Sequence, residues 1–234
     1  PPALIPLVCR TIVHNPSLTY IRLHEFSSLQ TLIVKNNTRW NELVAPRSVR
    51  SMSLENYAGG ELTLANLPNL QSLKLVSMTQ LTYCGVLNAD LKTLETVRPF
   101  GSTSSSRGLY LELANFTSSM ENVTLGGSST SLNSALTQIR VTDPRGGVRN
   151  LVVSHISRYT DVFFEDLPAL RLLRFENAAV HVHDYPFDAI KGSSQGLSVE
   201  FVDNKFEHGE IRLRASTSAL AASLQSVKIL GNND

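Results

Sequence analysis

The sequence predicts a mainly β fold: a solenoid of stacked coils about 20–29 residues long, with parallel front strands, shorter back strands and few helices. Three observations carry this. First, nine runs share one grammar, in which an apolar residue is followed by two variable ones, an apolar, a variable and an apolar. They start at Leu29, Val49, Leu70, Leu91, Met120, Val148, Leu170, a degenerate Gly196 and Leu224, at spacings of 20, 21, 21, 29, 28, 22, 26 and 28 residues. A repeating unit of this size cannot bury its apolar face without a neighbour on each side. Second, between the runs lie shorter alternating segments, at Glu61–Leu64, Leu109–Leu113, Leu136–Val141, Asp161–Phe164 and Glu210–Arg214. Period-two alternation marks half-buried strands. Third, Leu-Pro-x-Leu occurs twice in register, as Leu67–Leu70 and Leu167–Leu170. Proline there ends the back segment, fixes φ and delivers the chain into the next front strand.

Taken in order, residues 1–28 read as a capping segment in which Leu18–Leu23 closes the N-terminal end of the core. Residues 29–234 continue it as one solenoid domain, because a solenoid core has no natural break. Gly101–Gly108 has no apolar anchor and reads as a loop inserted into the longest coil. Asp143-Pro-Arg-Gly-Gly147 is a tight turn between two strands. Helical pattern is confined to Ser216–Leu224, with one turn at Pro186–Lys191.

Composition narrows the function classes. Hydrophobic residues make up 42% of the 234-residue chain, enough for a continuous core, and 21 basic against 20 acidic side chains give a net charge of +1. That balance argues against a nucleic-acid partner, which a strongly basic face would recruit. No apolar run approaches the ~18 residues of a membrane span. The chain starts Pro-Pro, which reads as a mature form or a fragment. Cys9 and Cys84 are 75 residues apart, more than three coils, too far for a direct bridge. Cys84 reads as a small buried residue and Cys9 as part of the end cap.

The front pattern, Leu-x-x-Leu-x-Leu with Asn three residues on, resembles the leucine-rich repeat. Leu29, Leu32, Val34 and Asn37 match all four positions, as do Leu224, Val227, Ile229 and Asn232; the coil at Gly196 keeps Val199, Phe201 and Asn204. Elsewhere the asparagine is replaced, for example by Tyr57 or Met78, so other groups must satisfy the backbone amides it would serve. The resemblance covers roughly residues 18–232 and is to the irregular, strand-backed repeats of microbial and protist surface proteins. It implies binding of proteins or glycans through a concave front sheet.

Two variable columns read as the outward face of that sheet. The first runs Gln30, Arg50, Gln71, Lys92, Glu121, Arg149, Arg171, Leu197 and Gln225; the second runs Ile33, Ser53, Lys74, Glu95, Thr124, Val152, Arg174, Glu200 and Lys228. With coils ~4.8 Å apart, Arg149, Arg171 and Arg174 are expected to cluster. Together with Lys74 and Lys92 they are the candidate ligand-binding residues, either neutralised by Glu121, Glu176 or Glu200 or answering an anionic partner. Asn36, Asn115 and Asn122 begin Asn-x-Ser/Thr triplets and are glycosylation candidates. Asn115 is expected in an exposed connection and Asn122 on the front sheet. His181-Val-His183-Asp184 is the one compact metal-like group, read as a surface histidine pair rather than a site because no third ligand stands near.

No metal or cofactor is assigned. The sequence lacks Gly-x-Ser-x-Gly, a phosphate-cradling glycine loop, His-Glu-x-x-His and Cys-x-x-Cys. No catalytic residue is assigned, and the chain reads as a non-enzyme. The expected function is recognition of a protein or anionic glycan, by the concave sheet or the loop at Ser102–Arg107, in an extracellular or cell-surface setting. The alternatives are a structural subunit of an extracellular assembly, associating with copies of itself, and a β-helix-type polysaccharide-active enzyme.

Overall fold

The computed structural model describes residues 8–97, 109–115, 122–126, 136–143, 146–165, 167–182, 196–206 and 224–232. These form a parallel β-solenoid; no helix occurs among them. The expected loop at Gly101–Gly108 and the expected helical turns before Leu224 and at Pro186–Lys191 lie outside the described residues. No helix among the described residues is long and apolar enough to cross a membrane.

The front strands are β1 (Cys9–Val13), β3 (Thr31–Lys35), β5 (Ser51–Glu55), β7 (Ser72–Val76), β9 (Thr93–Val97) and β11 (Asn122–Gly126). They continue with the first halves of β13 (Asn150–Glu165) and β14 (Leu172–Val182), then β15 (Leu197–Val202) and β17 (Leu224–Leu230). The back strands are β2 (Tyr20–Arg22), β4 (Glu42–Val44), β6 (Glu61–Ala65), β8 (Tyr83–Leu87), β10 (Leu109–Ala114), β12 (Leu136–Thr142), the second halves of β13 and β14, and β16 (Lys205–Phe206). β1 pairs with β3, so Cys9–Val13 within the N-terminal segment extends the front ladder by one strand. β13 runs through a corner unbroken: Asn150–Ser154 extends the front ladder, Asp161–Glu165 extends the back one, and its pairing with β14 slips between Ile156 and Thr160.

The repeat grammar explains the core. Apolar positions one, four and six are buried in the coils of Leu29, Val49, Leu70, Val148 and Leu170, with Leu32, Val34, Met52, Leu54, Leu73, Leu75, Leu151, Val153, Leu173 and Phe175 all inside. Alternation along each strand sends these side chains inward, and the matching side chains of successive coils stack. Phe175 lies on Phe201 with ring centroids 5.4 Å apart and planes 6° apart. Cys84 is buried and Cys9 exposed; both are free thiols.

The corners are built from backbone. In each Leu-Pro-x-Leu the second leucine amide donates to the first leucine carbonyl, Leu70 to Leu67 at 3.0 Å and Leu170 to Leu167 at 3.2 Å. Entering the front strand, one carbonyl accepts two successive amides of the next coil. Gln30 O takes Arg50 N and Ser51 N, Arg50 O takes Gln71 N and Ser72 N, Gln71 O takes Lys92 N and Thr93 N, and Arg149 O takes Arg171 N and Leu172 N. Leaving it, the chain turns through a residue with positive φ, at His14, Asn36, Asn56, Ser77, His155, Asn177, Asp203 and Gly231. Back strands end the same way at Asn66, Asn88 and Asn115. Asparagine is the commonest of these because its short polar side chain tolerates the left-handed region.

The asparagine ladder stands where the repeat predicts it. Asn37 is fully buried; its Oδ1 accepts Asn15 N at 2.7 Å and its Nδ2 donates to Ile12 O at 3.0 Å. Asn204 accepts Ala178 N and donates to Phe175 O, both at 3.0 Å, and Asn232 accepts Asn204 N at 2.9 Å and donates to Phe201 O at 3.1 Å. Each reaches back one coil. Where methionine replaces asparagine, Met78 Sδ accepts the Tyr57 amide at 3.4 Å. The Tyr57 hydroxyl lies within 2.7 Å of the Asn41 and Glu61 carbonyls, and burial pushes its pKa up.

Candidate recognition surface

The doubled corner hydrogen bond decides which residues face outward on the front sheet. In the runs at Leu70, Leu91, Val148 and Leu170 position two precedes the strand at the corner, and Lys92, Arg149 and Arg171 are exposed there; in the run at Gly196 it is the buried Leu197 inside β15. Positions three and five are the ones that share the strand face. The expected three-arginine cluster is therefore divided. Arg149 and Arg171 are register neighbours at the corner. Arg174 stands three residues further along β14, roughly 10 Å away at ~3.3 Å per residue.

Arg174 is held by two carboxylates, Glu176 at 3.0 Å and Glu200 at 3.1 Å, two of the acids expected to neutralise it. Lys74 is likewise paired with Glu95 on the next strand, at 2.8 Å. Both partners of that pair are exposed, which makes it worth about 0–1 kcal/mol. Of the five candidate cations, Lys74 and Arg174 thus sit on the sheet face in ion pairs, and Lys92, Arg149 and Arg171 line the corner.

The column missed in the sequence is position three. Thr31, Ser51, Ser72 and Thr93 are direct register partners on four successive strands, giving an unbroken row of hydroxyls. Beside it runs Ile33, Ser53, Lys74 and Glu95. In the second half, position three reads Asn150, Leu172, Ser198 and Ser226, with Ser226 Oγ donating to Ser198 Oγ at 2.9 Å. The signal was present, since position three alternates with the buried position four. The corner bond that removes position two from the face is a backbone feature with no side-chain signature.

The glycosylation candidates fall in different settings. Asn36 is exposed at the corner after β3, with its Nδ2 3.5 Å from His14 Nε2. Asn115 is half-buried rather than in an open connection; its φ is 57° and its amide donates to Thr142 O at 3.0 Å. Asn122 opens β11 in register with Asn150. His181 pairs with Asp161 along the back ladder, while His183 and Asp184 lie outside the described residues. Among the described residues no three His, Cys, Asp or Glu side chains are grouped to hold a metal ion. A cleft of about 220 Å³ at the corner after the front strands is lined by Thr38, Asn56, Tyr57, Ala58, Thr79 and Gln80. It is smaller than the ~300 Å³ at which small-molecule pockets begin.

The fold and these surfaces define the class: a parallel β-solenoid repeat protein with polar, register-aligned sheet faces. No protein-family model, no curated protein and no solved structure matches the chain.

Proposed function

We propose that the chain is a non-catalytic recognition module of the leucine-rich-repeat kind, working at a cell surface or outside the cell. It binds a protein or an anionic glycan across its front sheet and the adjoining corner. The observation that carries this reading is the hydroxyl row Thr31, Ser51, Ser72 and Thr93 beside Lys74 and Glu95. Four strands in register give hydrogen-bonding groups at a regular ~4.8 Å spacing, a surface suited to an extended polar partner. Arg149 and Arg171, adjacent at the corner, supply the local positive charge an anionic partner needs.

The test is binding of heparin as a function of salt, in the wild type and in two double variants, Arg149→Glu/Arg171→Glu and Ser51→Glu/Ser72→Glu. Affinity that falls with salt and is lost in both variants supports the front-sheet reading. Binding unchanged in both would remove it. Release of cleaved glycan would move the polysaccharide-active enzyme ahead.

A second reading, a subunit that stacks on copies of itself, is favoured by the terminal strands. Val227 and Ile229 of β17 are 41% and 54% exposed, while their counterparts Val199 and Phe201 are fully buried. Asn15 holds in the first coil the place that Asn37 holds in the second, by the register of Val13 with Lys35. A ladder asparagine reaches back to the amide three residues past a strand carbonyl, and Asn232 N with Ile229 O is the corresponding pair at the far end. Light scattering across concentration tests this reading. Growth abolished by Ile229→Lys supports it, and a monomer at every concentration removes it.

A further inference from the structure

The back sheet carries a second surface that the front-sheet reading does not use. On β8, β10, β12 and β13 the outward positions are filled by Tyr83, Tyr110 and Glu112, Gln138 and Arg140, and Asp161 and Phe163. Register places Tyr83, Tyr110, Gln138 and Asp161 in one row and Gly85, Glu112, Arg140 and Phe163 in the row beside it. All except the buried Gly85 are half-buried. The patch spans four strands, about 14 Å at ~4.8 Å per step.

Its geometry is specific. The Tyr83 ring lies down along its own strand over Gly85, where an added Cβ would come within 2.5 Å of the Tyr83 hydroxyl. Gly85 thus leaves room for a floor. Tyr110 stands against that floor at 66°, with ring centroids 5.5 Å apart. The Tyr83 hydroxyl donates to Glu112 Oε2 at 2.8 Å, which fixes the ring; burial first and this hydrogen bond second push the Tyr83 pKa up. At the other end the Arg140 guanidinium lies 6.0 Å from the centre of the Phe163 ring.

We propose that this back-sheet surface binds a short neutral oligosaccharide. A sugar ring has apolar C–H faces and a rim of hydroxyls, so it needs a flat aromatic surface below and acceptors and donors at the side. Tyr83 and Tyr110 supply the floor and wall, and Glu112, Gln138, Arg140 and Asp161 supply the polar rim. The charge of the patch selects among glycans. Two carboxylates against one guanidinium disfavour a sulfated or carboxylated chain, the opposite of the front corner. Aromatic side chains and arginine also make protein hot spots, but Gly85 lets the Tyr83 ring recline along its strand, which lays down a flat ring of the kind a sugar face stacks on.

Cellohexaose, mannohexaose and chitohexaose are the probes, titrated calorimetrically into the wild type, Tyr110→Ala and Arg149→Glu/Arg171→Glu. At least one probe is expected to bind with an affinity insensitive to salt, to lose about tenfold or more in Tyr110→Ala, and to be unaffected by the corner double variant. Far-UV circular dichroism and the urea midpoint check that Tyr110→Ala stays folded, and Tyr110→Phe, which keeps the ring, should retain binding if the alanine variant does not fold. No binding of any probe at millimolar concentration would overturn the proposal. So would binding that survives Tyr110→Ala, or a patch that takes up only a basic peptide. Heparin binding at the front corner can fail or succeed independently of these results.

Discussion

Replacing Asn204 by alanine should destabilise the protein more than its small volume suggests. Asn204 is 1% exposed, and its side chain serves the Ala178 amide and the Phe175 carbonyl of the preceding coil. Alanine leaves both backbone groups buried without that partner, at about 1–3 kcal/mol each. Removing Nδ2 also breaks its 3.0 Å contact with Asn232 Oδ1. The expected loss is therefore about 2–6 kcal/mol. A water entering the vacated space would bring it toward the lower end. The control is Asn177→Gly, an exposed residue at φ 45°. Glycine enters the left-handed region freely, so the change there should stay within about 1 kcal/mol. Urea unfolding followed by far-UV circular dichroism measures both. A loss below about 1 kcal/mol in Asn204→Ala, or equal losses in the two variants, would refute the claim that the ladder holds coil to coil.

Leu73→Ala should cost about 2–5 kcal/mol, since the side chain is fully buried between its register partners Met52 and Leu94; Lys74→Ala should cost under about 1 kcal/mol, because its pair with Glu95 is exposed. The same urea titration compares them, and comparable losses would mean that the faces are reversed. Burial pushes the Cys84 thiol from 9.0 up to about 12, so its neutral form stabilises the fold fully below pH 9 and this contribution is lost as pH rises toward 12. A thiol reagent at pH 8 should label Cys9 alone in the folded protein and both cysteines in denaturant; rapid native labelling of Cys84 would contradict its burial. In protein from its native source, glycopeptide mass spectrometry should find sugar at the exposed Asn36 more often than at the half-buried Asn115, and full occupancy of Asn115 with a bare Asn36 would count against the corner geometry.

Much of the fold was legible because a strand writes its facing into sequence every second residue. Leu32 and Val34, or Leu173 and Phe175, are assigned inward by alternation alone, and the resemblance to the leucine-rich repeat places Asn37, Asn204 and Asn232 in a ladder. The candidate face was harder. Arg171 and Arg174 look equivalent as variable positions, yet a backbone carbonyl shared by two amides puts one in the corner and leaves the other between two glutamates. The hydroxyls of Thr31, Ser51, Ser72 and Thr93 are individually unremarkable surface residues and form a row only once register is known. Likewise, Tyr83 and Glu112 are 29 residues apart in sequence and meet only because Gly85 leaves room over its strand.

The doubled corner carbonyl also makes coil number an adjustable quantity. Gln30 O receives Arg50 and Ser51 in the same way that Arg50 O receives Gln71 and Ser72, so at the front corner the seam between these coils repeats the same pair of hydrogen bonds. Excising one whole unit from this stretch would bring together front corners that carry matching hydrogen-bonding groups. The row of hydroxyls would shorten by one member and the rest of the molecule would keep its register. Such a chain can change the length of its front face without redesigning how it holds itself together.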